Sequence, residues 1–343
     1  MHLYVSEQGA RLCKSGTHLV VSKGLETLDD VLLDDVESVA LFGSVQMTTE
    51  ALNALQERGT DISFLSRGGH FRGRVVSGVS KNVYLRLRQY EAFRDLNRSF
   101  GLARGTVLRK LENGLLVLDA FNYNSHNDFS FEERDEYVRN LNRVRELAVP
   151  DRDALRGYEG YGAKLYFQAF ARCLKQGVNF PGRVYYPSTD PVNALLSFGY
   201  SLVARNLEGL LEACGLDPSI GFFHELNYGR ASLSLDLMEE FRHPLVDRMV
   251  LTLFNKRIIA EDDFELRLDE NKPGQLYLKR DAMRIFVRHY EETLESPCKL
   301  VKEFPNLTWR GLLKLRVENY RKALLEESDL VPFDYCSSLG AIA

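Results

Sequence analysis

The stretch GFFHELNYGRASLSLDLMEEFRHPLVDR, residues 221–248, sets one histidine, His224, in a Gly-bounded loop ahead of three acids, Asp236, Glu239 and Glu240. A neutral imidazole with carboxylates is a ligand set for a divalent metal ion. Such an ion in a wet cleft most often serves hydrolytic or phosphoryl-transfer chemistry. With Asp236 as reference on a helix, Glu239, Glu240, His243 and Asp247 fall within about 60° of it, and Leu237, Phe241 and Leu245 take the other side. One face of this helix is therefore acidic, and periodicity alone reads it as a solvated surface. It does not say which acid, if any, faces His224, and a lone loop histidine is more often a surface residue.

A second carboxylate lies far away in the chain. On a helix opening near Asp151, the residues Leu155, Ala163, Tyr166, Phe170, Cys173 and Leu174 form a buried stripe, with Lys164, Gln168, Arg172 and Lys175 opposite. Glu159 falls at about 40° from Leu155, inside the apolar stripe. A carboxylate there is costly to bury alone, so it must reach a cleft, a cationic partner or a metal. In DPVNALLSFGY, residues 190–200, Asp190 suits a helix cap and Pro191 the first helical position. Asn193 then reads either as support for a metal or phosphate site or as a helix-end hydrogen-bonder.

These residues need elements to hold them, and the chain has two regimes. Up to about residue 80 the hydrophobic period is two: HLYV, ARLCK, THLVVS, DDVLLDDV, SVALFG, DISFLS and HFRGRVV read as strands, with KSG and RGG as turns and one helix at TTEALNALQERG. Beyond that the period is 3.6, with helices expected near 82–97, 100–112, 131–148, 151–176, 190–214, 232–256, 281–294 and 308–327. NYNSHNDFS, residues 122–130, reads as a polar loop, and a hairpin turns around Asn271–Gly274. The expected fold is α+β in two domains: a β-rich domain over 1–80, then a mainly α-helical domain with the catalytic residues over 81–343.

Composition narrows the function classes. Apolar residues make up 45% and charged residues 27% of the 343, which suits a real core and excludes wholesale disorder. No apolar run is long enough to span a membrane, the N-terminus lacks a secretory pattern, and five scattered cysteines suit a reducing cytoplasm. The formal net charge is −4, yet residues 66–112 hold eleven Lys and Arg against three Asp and Glu. Such a band attracts a polyanion, and Arg67, Arg72, Arg74 and Arg86 within it, with Arg242 and Arg248 nearer the candidate metal site, are candidates for DNA-backbone contact. The C-terminal basic helix is a weaker sign of the same kind. No P-loop, GxGxxG or GxSxG motif is present, so nucleotide-cofactor and serine-hydrolase readings fall.

Taken in order, QMTTEALNALQERGTDISFLSRGG, EGYGAKLYF, FPGRVYYPSTDPVNALLSFGYSLV and GFFHELNYGRASLSLDLMEEFRHPLVDR resemble the CRISPR-associated Cas1 family of spacer-acquisition integrases and endonucleases. The resemblance runs over nearly the whole chain. It implies an N-terminal β domain used for dimerisation and DNA contact, and a helical catalytic domain. It implies a Mg²⁺ or Mn²⁺ site on Glu159, His224 and Glu239 as metal and catalytic residues, with Asp236 a near neighbour and Asn193 and Glu240 supporting. It also implies a homodimer, a small dimeric CRISPR-associated partner in a hetero-hexameric integration complex, and double-stranded DNA, both protospacer and CRISPR repeat. The setting is the prokaryotic cytoplasm, with no membrane. The implied reaction inserts short foreign DNA fragments into a CRISPR array by 3′-hydroxyl attack on a phosphodiester. Two other classes stand beside it: a DNA-binding scaffold with an inactive metal site, and a metal-dependent phosphohydrolase of small molecules.

Overall fold

The computed structural model describes residues 1–67, 71–75, 82–125, 131–175, 177–269, 272–298, 301, 304, 306–328 and 330. The switch from strands to helices expected near residue 80, the tip of the RGG turn, the end of the loop at 126–130, Asn271 and Cys336 lie outside the described residues. The chain divides into two compact units, Met1–Val79 and Ser80–Ala343, the first rich in strands and the second mainly helical.

In the first unit, β1 (His2–Val5), β5 (Ser38–Phe42) and β7 (Asp61–Leu65) pair in parallel, and β8 (Phe71–Val75) closes that sheet antiparallel to β7. A second sheet has the order β4 (Glu26–Leu32), β3 (His18–Lys23), β2 (Arg11–Ser15), β6 (Gln46–Met47). The alternation that marked the strands is the alternation of burial: Leu3 and Val5, Leu12, Leu19 and Val21 all point into one core with Val39, Leu41 and Ile62. The helix α1 (Thr49–Glu57) covers it with Ala51, Ala54 and Leu55, and the Thr48 hydroxyl caps it by accepting from the Ala51 amide at 3.3 Å. Two expectations shift. DDVLLDDV is strand only to Leu32, with a short 3₁₀ turn at Leu33–Asp35, and the two-residue β6 was too short for its pattern to register.

The second unit is built from α2 (Val83–Arg94), α3 (Leu96–Ser125), α4 (Phe131–Glu146), α5 (Arg152–Cys173), α6 (Pro191–Cys214), α7 (Ser232–Phe241), α8 (Arg248–Asn255), α9 (Arg280–Glu295) and α10 (Trp309–Leu325). The hairpin of β9 (Phe264–Asp269) and β10 (Lys272–Leu278) interrupts the series. Among the described residues no helix is long and apolar enough to cross a membrane. The long α3 lies against α4, α5 and α7 and is the spine of this unit. It runs unbroken through Ser125, so 122–125 is helix and not loop. Gly114 lets it approach: a Cβ there would stand 2.6 Å from Tyr137 Oη and 3.2 Å from both the His243 and Tyr166 rings.

The helix expected over 232–256 contains a π-helical segment, Arg242–Asp247. Pro244 explains it, because it has no N–H to return to the Glu240 carbonyl. That carbonyl instead accepts from Asn113 Nδ2 at 2.6 Å. The widened turn keeps Glu239 and Arg242 against α3.

Gly114→Ala should cost about 1–3 kcal/mol through overpacking. Gly105→Ala, on the same helix with nothing within 4 Å of the new Cβ, should gain about 0.5–1 kcal/mol. Urea unfolding of the two variants checks the contrast.

Candidate functional site

The site begins with Asp236 on the second turn of α7. Its carboxylate accepts the backbone N–H groups of Phe222 (2.5 Å), Phe223 (3.0 Å) and His224 (2.9 Å), and the His224 ring at Nδ1 (2.8 Å). Three amides and a ring nitrogen converging on one carboxylate wrap the 222–224 loop around the helix start. Gly221 permits this, since a Cβ there would meet the Ser232 backbone at 2.7 Å. The approach is fixed from outside by Gln89, which donates to the carbonyls of Asp217 (2.8 Å) and Ile220 (3.1 Å), and by Arg152, which donates to that of Phe222 (2.5 Å).

A carboxylate only accepts, so His224 Nδ1 carries a proton, and in the neutral ring Nε2 presents its lone pair. Glu239, one turn beyond Asp236, lies in front of it, with Oε1 3.7 Å from Nε2. Glu239 is 2% exposed and is held by Lys110 Nζ at 2.7 Å on Oε2 and by Arg242 at 3.1 Å on Oε1. Lys110, from α3, is itself only 2% exposed and also bonds Oε1 of Glu159 from α5. Two carboxylates from different helices thus meet on one ammonium, beside an oriented imidazole.

Burial alone would raise the Glu239 carboxyl, but Arg242, Lys110 and His224 outweigh it and hold it at about 2 against an ordinary 4.5. Burial likewise opposes charge on Lys110, and Glu239 and Glu159 overcome it, keeping the ammonium above its usual range. Arg242 is propped from behind. Its guanidinium lies 4.4 Å from the Tyr200 ring centroid. Tyr200 donates to Asp247 at 2.5 Å, and Asp247 also bonds His243 Nδ1 at 2.6 Å, whose ring packs 3.8 Å from that of Tyr166.

The acidic face expected to be solvated is buried throughout: Asp236, Glu239, Glu240, His243 and Asp247 all face partners inside the unit. Glu159 and Glu239 meet on Lys110, His224 lies beside Glu239, and Asp236 stands one layer behind as the orienter of the imidazole. Glu240 points away, to a buried ion pair with Arg316 at 2.6 Å. Asn193 is a helix-end hydrogen-bonder: its amide donates to Asp190 (2.7 Å) and the Gly182 carbonyl (2.8 Å) and accepts from Arg183 (2.8 Å). Arg242 is turned inward onto Glu239, and Arg242 and Arg248 are both half-buried. Arg67 and Arg72 are exposed, Arg86 is partly so, and Arg74 lies 3.9 Å from Asp61.

Lys110 is the site residue that pattern reading passed over. With Ala103 as reference, Val107, Leu111, Gly114 and Leu118 lie within about 80° on one side, and Lys110 sits among them at about −20°. A charge inside an apolar stripe was the signal that singled out Glu159, and it marks Lys110 as well. As donors, two carboxylates and an imidazole nitrogen suit a divalent metal, and a carboxylate behind the imidazole is the usual support of a metal-ligating histidine. The carboxylates already converge on a cation, so the residues fit such an ion.

Because the Glu239 carboxyl is held low, its stabilisation is complete above about pH 4.5 and is lost as pH falls toward 2. In chelator, the unfolding free energy of the wild type should therefore decline more steeply than that of Glu239→Gln between those limits. Parallel declines in pH-resolved urea titrations would contradict the assignment.

Comparison with known proteins bears on this arrangement. A family model described as "CRISPR associated protein Cas1" matches residues 3–292. The CRISPR-associated endonuclease Cas1 3 of Thermus thermophilus is 35% identical over 327 residues, covering 95% of this chain and 94% of that one. Among solved structures, a casposase bound to its integration product superposes with a TM-score of 0.84 at 23% identity, covering 98% and 95% of the two chains. A chain of a Cas6-RT-Cas1–Cas2 complex gives 0.83 at 23% identity, covering 99% of this chain and 36% of that longer one.

Proposed function

The chain belongs to the Cas1 family of CRISPR-associated proteins, and from that premise we propose that it is a DNA endonuclease and integrase that joins short DNA fragments into a CRISPR array. The observation that carries the reading is the meeting of Glu159 and Glu239 on one buried cation with His224 Nε2 alongside. Glu159, Glu239 and His224 would hold Mg²⁺ or Mn²⁺. The imidazole favours Mn²⁺, since Mg²⁺ prefers oxygen. When bound, such an ion polarises the scissile phosphate and stabilises the charge that grows on it.

The protein's own residues do the rest. Asp236 keeps the proton on Nδ1, so that Nε2 is free as a donor before substrate arrives. Lys110 and Arg242 keep the Glu239 carboxylate ionised and would supply positive charge beside the phosphate that enters. Attack by a 3′-hydroxyl on a phosphodiester joins two DNA ends and releases a 3′-hydroxyl; attack by water cuts. One site therefore serves both integrase and nuclease reactions. Arg67, Arg72 and Arg86 carry charge suited to backbone phosphates, which they would hold without reading sequence. DNA as substrate and a Cas2-type partner are supported by the neighbouring casposase bound to its integration product and by the Cas6-RT-Cas1–Cas2 complex; a homodimer and a small dimeric partner belong to the same reading. A cytoplasmic prokaryotic setting belongs to the same reading.

Glu159→Ala and His224→Ala should each lower Mn²⁺-dependent strand transfer by at least about 100-fold while leaving duplex binding within a few-fold of wild type. Retained transfer in both variants refutes the site. A DNA affinity that does not fall with salt refutes the backbone contacts and favours a small-molecule substrate.

A further inference from the structure

The charges of the two glutamates are balanced before any metal arrives. Glu159 and Glu239 contribute two negative charges, and Lys110 and Arg242, bonded directly to them, contribute two positive ones. Asp236 is occupied by three amides and the His224 ring. A divalent ion entering a pair of carboxylates ordinarily finds their charge uncompensated; here it meets a glutamate pair that already has its cations.

The oxygens are divided as well. Lys110 holds Oε1 of Glu159 and Oε2 of Glu239, while His224 Nε2 faces the other oxygen of Glu239. The ammonium therefore clamps one oxygen of each glutamate, and the other oxygen of Glu239 lies between the imidazole and Arg242. Lys110 has no easy exit. It sits on the buried stripe of α3, between α5 and α7, and is almost wholly excluded from water. An ammonium moved away from both carboxylates there would be an unpaired buried charge. It stays, and its charge stays with it.

We propose that Lys110 is a positioning residue that makes metal binding conditional on DNA: by setting one positive charge between Glu159 and Glu239 it keeps the free protein's hold on a divalent cation weak, and the phosphate of bound DNA supplies the missing negative charge. This rests on the reading of the chain as a metal-dependent DNA enzyme. Metal and DNA then bind with positive coupling, and by linkage each tightens the other equally. An uncut, unloaded enzyme holds little metal, so the activated site assembles only around its substrate.

The test measures Mn²⁺ affinity by isothermal titration with and without a short DNA duplex, for wild type, Lys110→Met, Lys110→Arg and His224→Ala. For wild type, duplex should tighten Mn²⁺ binding by roughly tenfold or more, a change of the size expected for one unit charge at contact distance in a partly buried site. Lys110→Met should bind Mn²⁺ more tightly than wild type without DNA, show a smaller gain on adding it, and yet transfer strands more slowly. Lys110→Arg keeps the charge and should retain weak binding and strong coupling, an outcome that loss of packing alone does not produce. Equal Mn²⁺ affinity with and without duplex in the wild type overturns the inference whether or not any variant folds, as does Lys110→Met that binds no more tightly. If His224→Ala binds Mn²⁺ as wild type does, the metal site itself is wrong; if it loses binding while Lys110→Met changes nothing, only the role of Lys110 fails.

Discussion

Two carboxylates cannot be taken out of water side by side unless cations go with them. That constraint organises the second unit. Glu159 and Glu239 come from α5 and α7, and the cation that reconciles them comes from α3, which packs on both. Arg242 adds a second cation, and burying it in turn requires the face of Tyr200 and the buried Asp247 beyond. Asp247 then accepts a hydrogen bond from His243 Nδ1. Each step inward transfers the electrostatic problem to another residue until hydrogen bonds close it. Removing one member leaves an uncompensated charge, so the site and the stability of the unit are coupled.

The loop that delivers His224 follows a different logic. It has no regular structure of its own, and its amides would lie unpaired against α7. Asp236 satisfies three of them with one side chain and orients the imidazole with the same carboxylate. A single residue thus sets the loop path and the tautomer. This also explains why Asp236 and Glu239, one turn apart on one face, differ in role: the first is saturated by the loop, and the second faces the nitrogen that the loop leaves open.

Much of this was legible from residue patterns, and the failures have physical causes. Strands such as β1 and β3 show in their alternation because one side of each is core. Glu159 shows because charge on an apolar stripe is costly wherever it occurs. Lys110 carried the same mark but was absorbed into a count of basic residues, where its position on α3 was lost. The acidic face of α7 read as solvated because a helical wheel ranks residues by angle and knows nothing of what packs opposite; Lys110, Arg242 and Arg316 are far away or on the next turn. The π-helical segment depends on a carbonyl taken by Asn113 from another helix, which no local pattern contains. The choice of Glu239 came from family resemblance, and the geometry offers its own reason for it.

The central claim is that Glu159, Glu239 and His224 hold a divalent cation while Asp236 stands behind the imidazole. Anomalous diffraction from crystals grown with Mn²⁺ and a DNA duplex tests it most directly. The account predicts one strong peak within roughly 2–2.3 Å of His224 Nε2 and of an oxygen from each glutamate, with the Asp236 bonds to residues 222–224 unchanged. A peak on Asp236, or one that leaves His224 uncoordinated, contradicts it.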